Sequence, residues 1–432
     1  MKKKLILMLS LLCFSSATYA VLDITITQGI EEALPIAVIP FEWQGAPEDR
    51  PLDLHQTIAN DLARSGRFRT MAAQDMPQYP SDFNQINFAD WRLLGMEHIV
   101  IGSIRNQPGD TFDIEFRLIN VYSGSQIAGF RIPANRSQLR RTAHRISDII
   151  FERLTGVRGA FDTRIAYITV KQLADGTKQH SLQIADADGF NPQILLESSE
   201  PLMSPVWSPD GKRIAYVSFE NRNSAIYIQD ILTGARERIA SNPGINSAPS
   251  WSPDGARLAL TLSKEGDPEI FIMHLGSRNL LRITNNRAID TEPTWSPDGS
   301  MLLFTSDRGG TPQIYEVSVA GGNPRRLTFE GNYNSRPRYS PDGRSITMVH
   351  GSGGVYRIAV MDLARKDLTI LTRSRLDESP SFSPNGSMII YATSRPRGTE
   401  LAAVSADGRV HQRLGLQDGD VREPEWGPFP PK

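Results

Sequence analysis

The sequence predicts an N-terminal α/β domain followed by an all-β six-bladed β-propeller, closed by pairing of both ends of its repeat array. Three observations predict it. Trp207-Ser208-Pro209-Asp210-Gly211 recurs from Trp251, from Trp295 and, with a tyrosine leading, from Tyr339; a worn copy starts at Phe382 and a fragment at Trp426. The aromatic positions are separated by 44, 44, 44, 43 and 44 residues, a period in the range of propeller blades. Within each repeat, a turn every 8–12 residues separates four short apolar or mixed segments, which is blade grammar. The two ends of the array are also complementary. The final copy stops just after Trp426, whereas Arg164–Val170 matches the strand that follows the turn but has no such turn before it. Joining them makes a sixth blade and removes two exposed sheet edges.

Each repeat has a physical reason for its residues. Ser-Pro-Asp-Gly supplies a polar first residue, a preset φ, an Asp that bonds its own backbone, and a glycine for positive φ. The strand after it (Ile214-Ala215-Tyr216-Val217, Leu258-Ala259-Leu260, Leu302-Leu303-Phe304) does not alternate with polar residues, as fits a strand covered on both faces. The aspartates Asp210, Asp254, Asp298 and Asp342 are therefore read as turn residues, and Trp207, Trp251 and Trp295 as core packing rather than a sugar platform.

The chain begins with Lys2-Lys3-Lys4, an apolar run from Leu5 to Phe14 and small residues ending at Ala20. That pattern predicts a cleaved secretory signal peptide over residues 1–20, too short to span a membrane. The only cysteine, Cys13, lies within it, so the mature chain is expected to have neither disulfides nor thiol chemistry. Loss of three lysines takes the formal charge from −1 to −4, which gives no general attraction to nucleic acid. No later segment is apolar enough for a membrane span.

Residues 21–157 lack the repeat and read as the α/β domain. Val21 to Thr27 alternates, with Leu22, Ile24 and Ile26 against Asp23, Thr25 and Thr27, predicting a half-buried strand. Pro35–Phe41 reads as a buried strand and Leu54–Ser65 as a helix ending at Gly66. Strands are expected at Ile99–Ile104, Phe112–Val121 and Gln126–Ile132, and a helix with Ser137 as N-cap is expected to run to Leu154. Residues 158–432 form the propeller, reached through the short joint Thr155–Ala160.

The joint Leu154-Thr155-Gly156-Val157-Arg158-Gly159-Ala160-Phe161, the run Pro201–Pro205 and the stretch Asp290–Trp295 resemble the TolB family, the periplasmic component of the Tol–Pal envelope system of Gram-negative bacteria. The resemblance spans essentially the whole chain. It implies a non-catalytic adaptor without cofactor or metal, expected as a monomer in the periplasm. The implied partners are the lipoprotein Pal, held at one mouth of the propeller tunnel, and the C-terminal domain of TolA, held by the extreme N-terminus. Other outer-membrane proteins and colicin translocation segments are further implied partners. The implied roles are outer-membrane integrity and envelope constriction during cell division.

The residues preceding each aromatic anchor supply the mouth. The expected Pal-binding set is Met203, Ser204, Asn246, Ser247, Ala248, Asp290, Thr291, Glu292, Arg336, Glu378 and Glu423, and the TolA-binding set is Val21, Leu22, Asp23, Ile24, Thr25, Ile26 and Thr27. Ala248 and Thr291 stand where family members carry residues affecting Pal binding, and Ile245 replaces a more polar residue. The same acids, Asp290, Glu292, Glu378 and Glu423, could instead gather a cation such as calcium, though without any EF-hand-like spacing. A solvated rim and a small-ligand or sugar site in the tunnel are the other readings. Hydrolase readings have little to stand on: there is no Gly-x-Ser-x-Gly elbow, no His-Glu-x-x-His and no phosphate loop.

Overall fold

Each repeat folds as a four-stranded antiparallel sheet, and six such sheets surround a central tunnel. The computed structural model describes residues 23–26, 33–51, 53–396, 398–414 and 419–431; residues 1–20, where a signal peptide is expected, lie outside these. Blade 1 runs from its inner strand Leu202–Trp207 through Arg213–Ser218 and Ala225–Asp230 to Arg236–Ala240. Blades 2 to 5 repeat the order, with inner strands Asn246–Trp251, Asp290–Trp295, Tyr333–Tyr339 and Asp377–Phe382. In blade 6 the C-terminal strand Asp420–Trp426 is innermost and pairs antiparallel with Arg164–Gln172, placing Trp426 opposite Ile165.

The repeated turn works as its residues demand. The Ser208 hydroxyl donates to Asp210, the Arg213 N–H donates to Ser208 Oγ at 2.9 Å, and Gly211 takes φ +67°. The tryptophans have a second task besides filling core. Nε1 of Trp207, Trp251 and Trp295 donates to a backbone carbonyl of the preceding blade's inner strand (Glu425, Val206 and Ser250) at 3.2, 3.3 and 3.0 Å. Trp426 donates to Thr163 Oγ1 at 2.9 Å. Arg213 lies over Trp251 and Arg257 over Trp295, both 4.7 Å from the ring centre, adding a cation–π contact between blades. Trp207, Trp251 and Trp295 thus stitch one blade to the next, whereas Trp426 ties the two chain ends together within blade 6, and in all four the indole N–H stays satisfied.

The α/β domain has a sheet that includes Leu34–Val38, Phe68–Thr70, His98–Gln107, Thr111–Asn120 and Ser125–Asn135. Alternation along Leu34–Val38 and just beyond it divides the core. Ile36 and Val38 pack with Leu54, Ile58 and Leu62 of helix α1 (Leu54–Arg64). Ala37 and Ile39 pack on the opposite face with Trp91 of helix α2 (Phe88–Leu93) and Met96. Helix α3 (Leu139–Thr155) also covers the first face and ends at Gly156 in the left-handed region, φ +76°. The expected N-cap Ser137 is corrected: Asn135 accepts from the Gln138 N–H and opens a short 3-10 turn that leads into α3.

The N-terminal strand also departs from expectation. Asp23–Ile26 does not join the α/β sheet but lies antiparallel to Val410–Leu414, as a fifth strand on the outer edge of blade 5. Alternation specifies a half-buried strand but not which open edge receives it. Val21, Leu22 and Thr27, assigned with it from sequence, lie outside the described residues. Among the described residues no helix is long and apolar enough to cross a membrane.

Candidate partner-binding mouth of the propeller

One backbone feature builds the mouth six times. In every inner strand the residue three before the aromatic anchor takes positive φ: Ser204 51°, Ala248 48°, Glu292 57°, Arg336 52°, Ser379 57° and Glu423 49°. A proline follows each, and the register with the next strand shifts there in all six blades. Left-handed backbone costs an L-residue about 1–2 kcal/mol, so six occurrences show a conformation imposed by the ring. Proline brings no N–H to orphan at the bulge. The effect is to turn six side chains away from the ladder and into the throat.

Arg336 is the centre of that throat. Its Nε donates to Glu292 Oε1 at 3.0 Å, its backbone N–H donates to Glu292 Oε2 at 2.9 Å, and Nη2 lies 3.6 Å from Glu423 Oε1. Nη1 donates to Ser379 Oγ, and Glu423 in turn accepts from the Ser204 N–H. Burial works against the guanidinium charge, but Glu423, Glu292 and Glu378 outweigh it and hold Arg336 firmly protonated. Arg338 and Glu425 lie deeper, 3.8 Å apart, where burial raises the Glu425 carboxyl despite Arg338. The space left is about 40 Å³, room for roughly one water molecule. Glu292 and Glu423 are engaged by Arg336, and Asp290 by Arg308 at 2.6 Å, so these acids do not converge as a cation cage.

The expected contact residues divide accordingly. Met203 is 38% exposed, and Ser247, Ala248, Thr291 and Glu378 are partly exposed. Ser204, Glu292, Arg336 and Glu423 form the throat, open to solvent on one side. Asn246 and Asp290 are corrected: both are fully buried. Asn246 accepts from the Asn242 N–H and donates to the Ser224 and Asn242 carbonyls, while Asp290 is held by Arg308. A side chain with no exposed surface cannot touch a partner, and these two brace the loops instead. Of the outer rim, sequence reasoning singled out Ile245 alone and missed Ile289, Phe329 and Leu376; the four are 44%, 51%, 73% and 43% exposed on the loops entering the inner strands of blades 2 to 5. Position was the available signal, since each lies one to four residues before an inner strand. The apolar ring with Met203 surrounds a charged throat, and large exposed apolar residues rimming a polar pocket mark protein contact surfaces.

A model of the TolB beta propeller domain matches residues 151–430, and one of the TolB amino-terminal domain matches residues 22–127. The chain belongs to the TolB family. A Tol-Pal system protein TolB of Thioalkalivibrio sulfidiphilus is 63% identical over 95% of this chain and 94% of its own length. That of Nitrosococcus oceani is 60% identical over 98% of both. The crystal structure of TolB from Acinetobacter baumannii, 41% identical, matches with a TM-score of 0.86 over 94% of this chain and all of that one. As in that TolB relative, the α/β domain and propeller stand together in one chain.

Proposed function

We propose that this chain is a non-catalytic adaptor of the Tol–Pal complex, exported to the periplasm after loss of residues 1–20. In this reading Pal docks on the propeller mouth, and the C-terminal domain of TolA takes the N-terminal strand. The adaptor thereby couples inner-membrane and outer-membrane components for envelope integrity and constriction at division, and colicin segments exploit the same mouth. The names of the relatives support membership in the system, and the exposed apolar ring around the Arg336 throat supports a protein partner there. That ring is the observation on which the reading rests. A throat of about 40 Å³ is far below the few hundred Å³ of a small-molecule site, which weighs against a sugar or metabolite held in the tunnel mouth.

The test is capture of purified Pal by Met203→Asp/Ile289→Asp. Both side chains are exposed, so unfolding should stay within about 0.5 kcal/mol of wild type. Pal affinity should fall by at least about tenfold, as for loss of interface anchors worth more than 1 kcal/mol each. Unchanged capture would move the site elsewhere. Deleting residues 22–28 should abolish TolA binding and spare Pal binding; loss of both or of neither would refute two separate surfaces.

A further inference from the structure

The two domains meet through a chain of charges that the adaptor reading does not use. At its centre is His144 of helix α3, almost completely buried. Its Nδ1 lies 2.7 Å from Asp61 Oδ2 of helix α1, and its Nε2 lies 3.9 Å from Asp188 Oδ2, on the propeller loop after Lys178–Asp186. Asp61 belongs to one domain and Asp188 to the other, so the imidazole ring bridges them, beside the direct ion pairs of Arg140 with Asp188 and Asp186. Nε2 is buried and has no hydrogen-bond partner. In a neutral ring the proton must remain on Nδ1 to serve Asp61, which leaves the Nε2 lone pair facing the Asp188 carboxylate. In the imidazolium both nitrogens carry protons and face a carboxylate.

Asp61, His144 and Asp188 carry donor atoms suited to a metal ion, but the two carboxylates approach opposite nitrogens of the ring. Arg64 also holds Asp61 at 3.1 Å, and Arg140 holds Asp188. Two permanent cations therefore occupy the places around which an ion would have to assemble.

We propose that Asp61–His144–Asp188 is a proton-held clamp between the α/β domain and the propeller, closed when His144 is an imidazolium and released when it loses that proton. Burial disfavours the charge on His144, yet Asp61 and Asp188 outweigh burial and the nearby Arg64, and the ring titrates above its ordinary 6.5. A group raised on closing contributes stability that is complete below its free value and lost as pH rises through the raised one. Other groups facing the joint are Asp148 and Arg141 of α3, Asp162 of the linker, and Asp186 and Arg164 of blade 6. Burial pushes Asp148 up to about 7 and Asp186 up to about 6. These two also favour the closed joint at lower pH, so they need their own control.

The experiment measures the interdomain distance by paired spin labels on Glu152→Cys and Leu232→Cys in the mature chain, which has no other cysteine. Between about pH 6 and pH 9 the long-distance population of wild type should grow, by up to about tenfold per pH unit for one linked proton. H144Q and D188N should show that population already at pH 6 and respond little to pH. Because Asp188 is a propeller loop residue, D188N keeps the test open if H144Q fails to fold. A pH-invariant wild type overturns the clamp. So does a wild-type response in D188N, or a response abolished by D148N or D186N alone.

Discussion

Arg336→Ala should uncouple the throat from the ring that supports it. In the folded protein Arg336 satisfies two oxygens of Glu292 and faces Glu423; the alanine leaves both carboxylates without their counter-charge. Two unit charges about 4 Å apart interact by about 4 kcal/mol at an effective dielectric of 20, and breaking a buried pair costs about 3–5 kcal/mol. The Arg336 side chain is 28% exposed, so water recovers part of this and about 3 kcal/mol is expected at neutral pH. In a domain of this size that lowers the propeller's melting temperature by about 6–12 °C. The backbone N–H of residue 336 still donates to Glu292, so the left-handed bulge persists. Calorimetry at pH 7.5 reads the loss, and Arg336→Ala/Glu292→Gln/Glu423→Gln should recover most of it by removing the stranded charges. A shift of about 1 °C or less in the single variant, or no recovery in the triple, would refute the claim that ion pairing holds the throat together.

Trp426→Ala removes a partly buried indole that packs on the core beside Tyr167 and bonds Thr163, and should cost about 2 kcal/mol, less than a fully buried large-to-small change, measured by urea unfolding. Gly66→Ala places a Cβ against the Val410 side chain at φ +67°, and should destabilise by about 1–3 kcal/mol while disturbing the strand on which Asp23–Ile26 pairs; hydrogen exchange at residues 410–414 reports it. Asp148 accepts the Phe161 and Asp162 N–H groups at 2.7 and 3.2 Å, and burial raises its carboxyl to about 7. Its ionisation in the fold is disfavoured, so wild-type stability should fall as pH rises from about 5 to about 8. Asp148→Asn should flatten that slope, as read from urea midpoints across the range.

Much of the architecture was written along the chain because propeller order is local. The 44-residue period, the Ser-Pro-Asp-Gly turn and the unmatched ends specify blades, their number and the docking of the C-terminal segment beside Arg164–Val170, and the structure adds the register, Trp426 opposite Ile165; each signal lies within one repeat or compares two. The α/β helix at Leu54–Arg64 and the strands around residues 99–132 were legible for the same reason. What the sequence did not contain was which surface each residue meets. Asn246 and Asp290 occupy entry positions as polar as those of true throat residues, yet neighbouring loops bury them. Ile245, Ile289 and Phe329 appear as scattered apolar residues until the ring sets them on the entry loops of successive blades. The alternation of Asp23–Ile26 defined a strand, whereas only the open edge at Val410–Leu414 decided its place. His144 was one of seven scattered histidines until packing put carboxylates from two domains against its two nitrogens. Local propensity and repeat spacing act over a few residues, but burial and charge pairing depend on contacts between distant parts of the chain, and those are set when the ring closes and the domains dock.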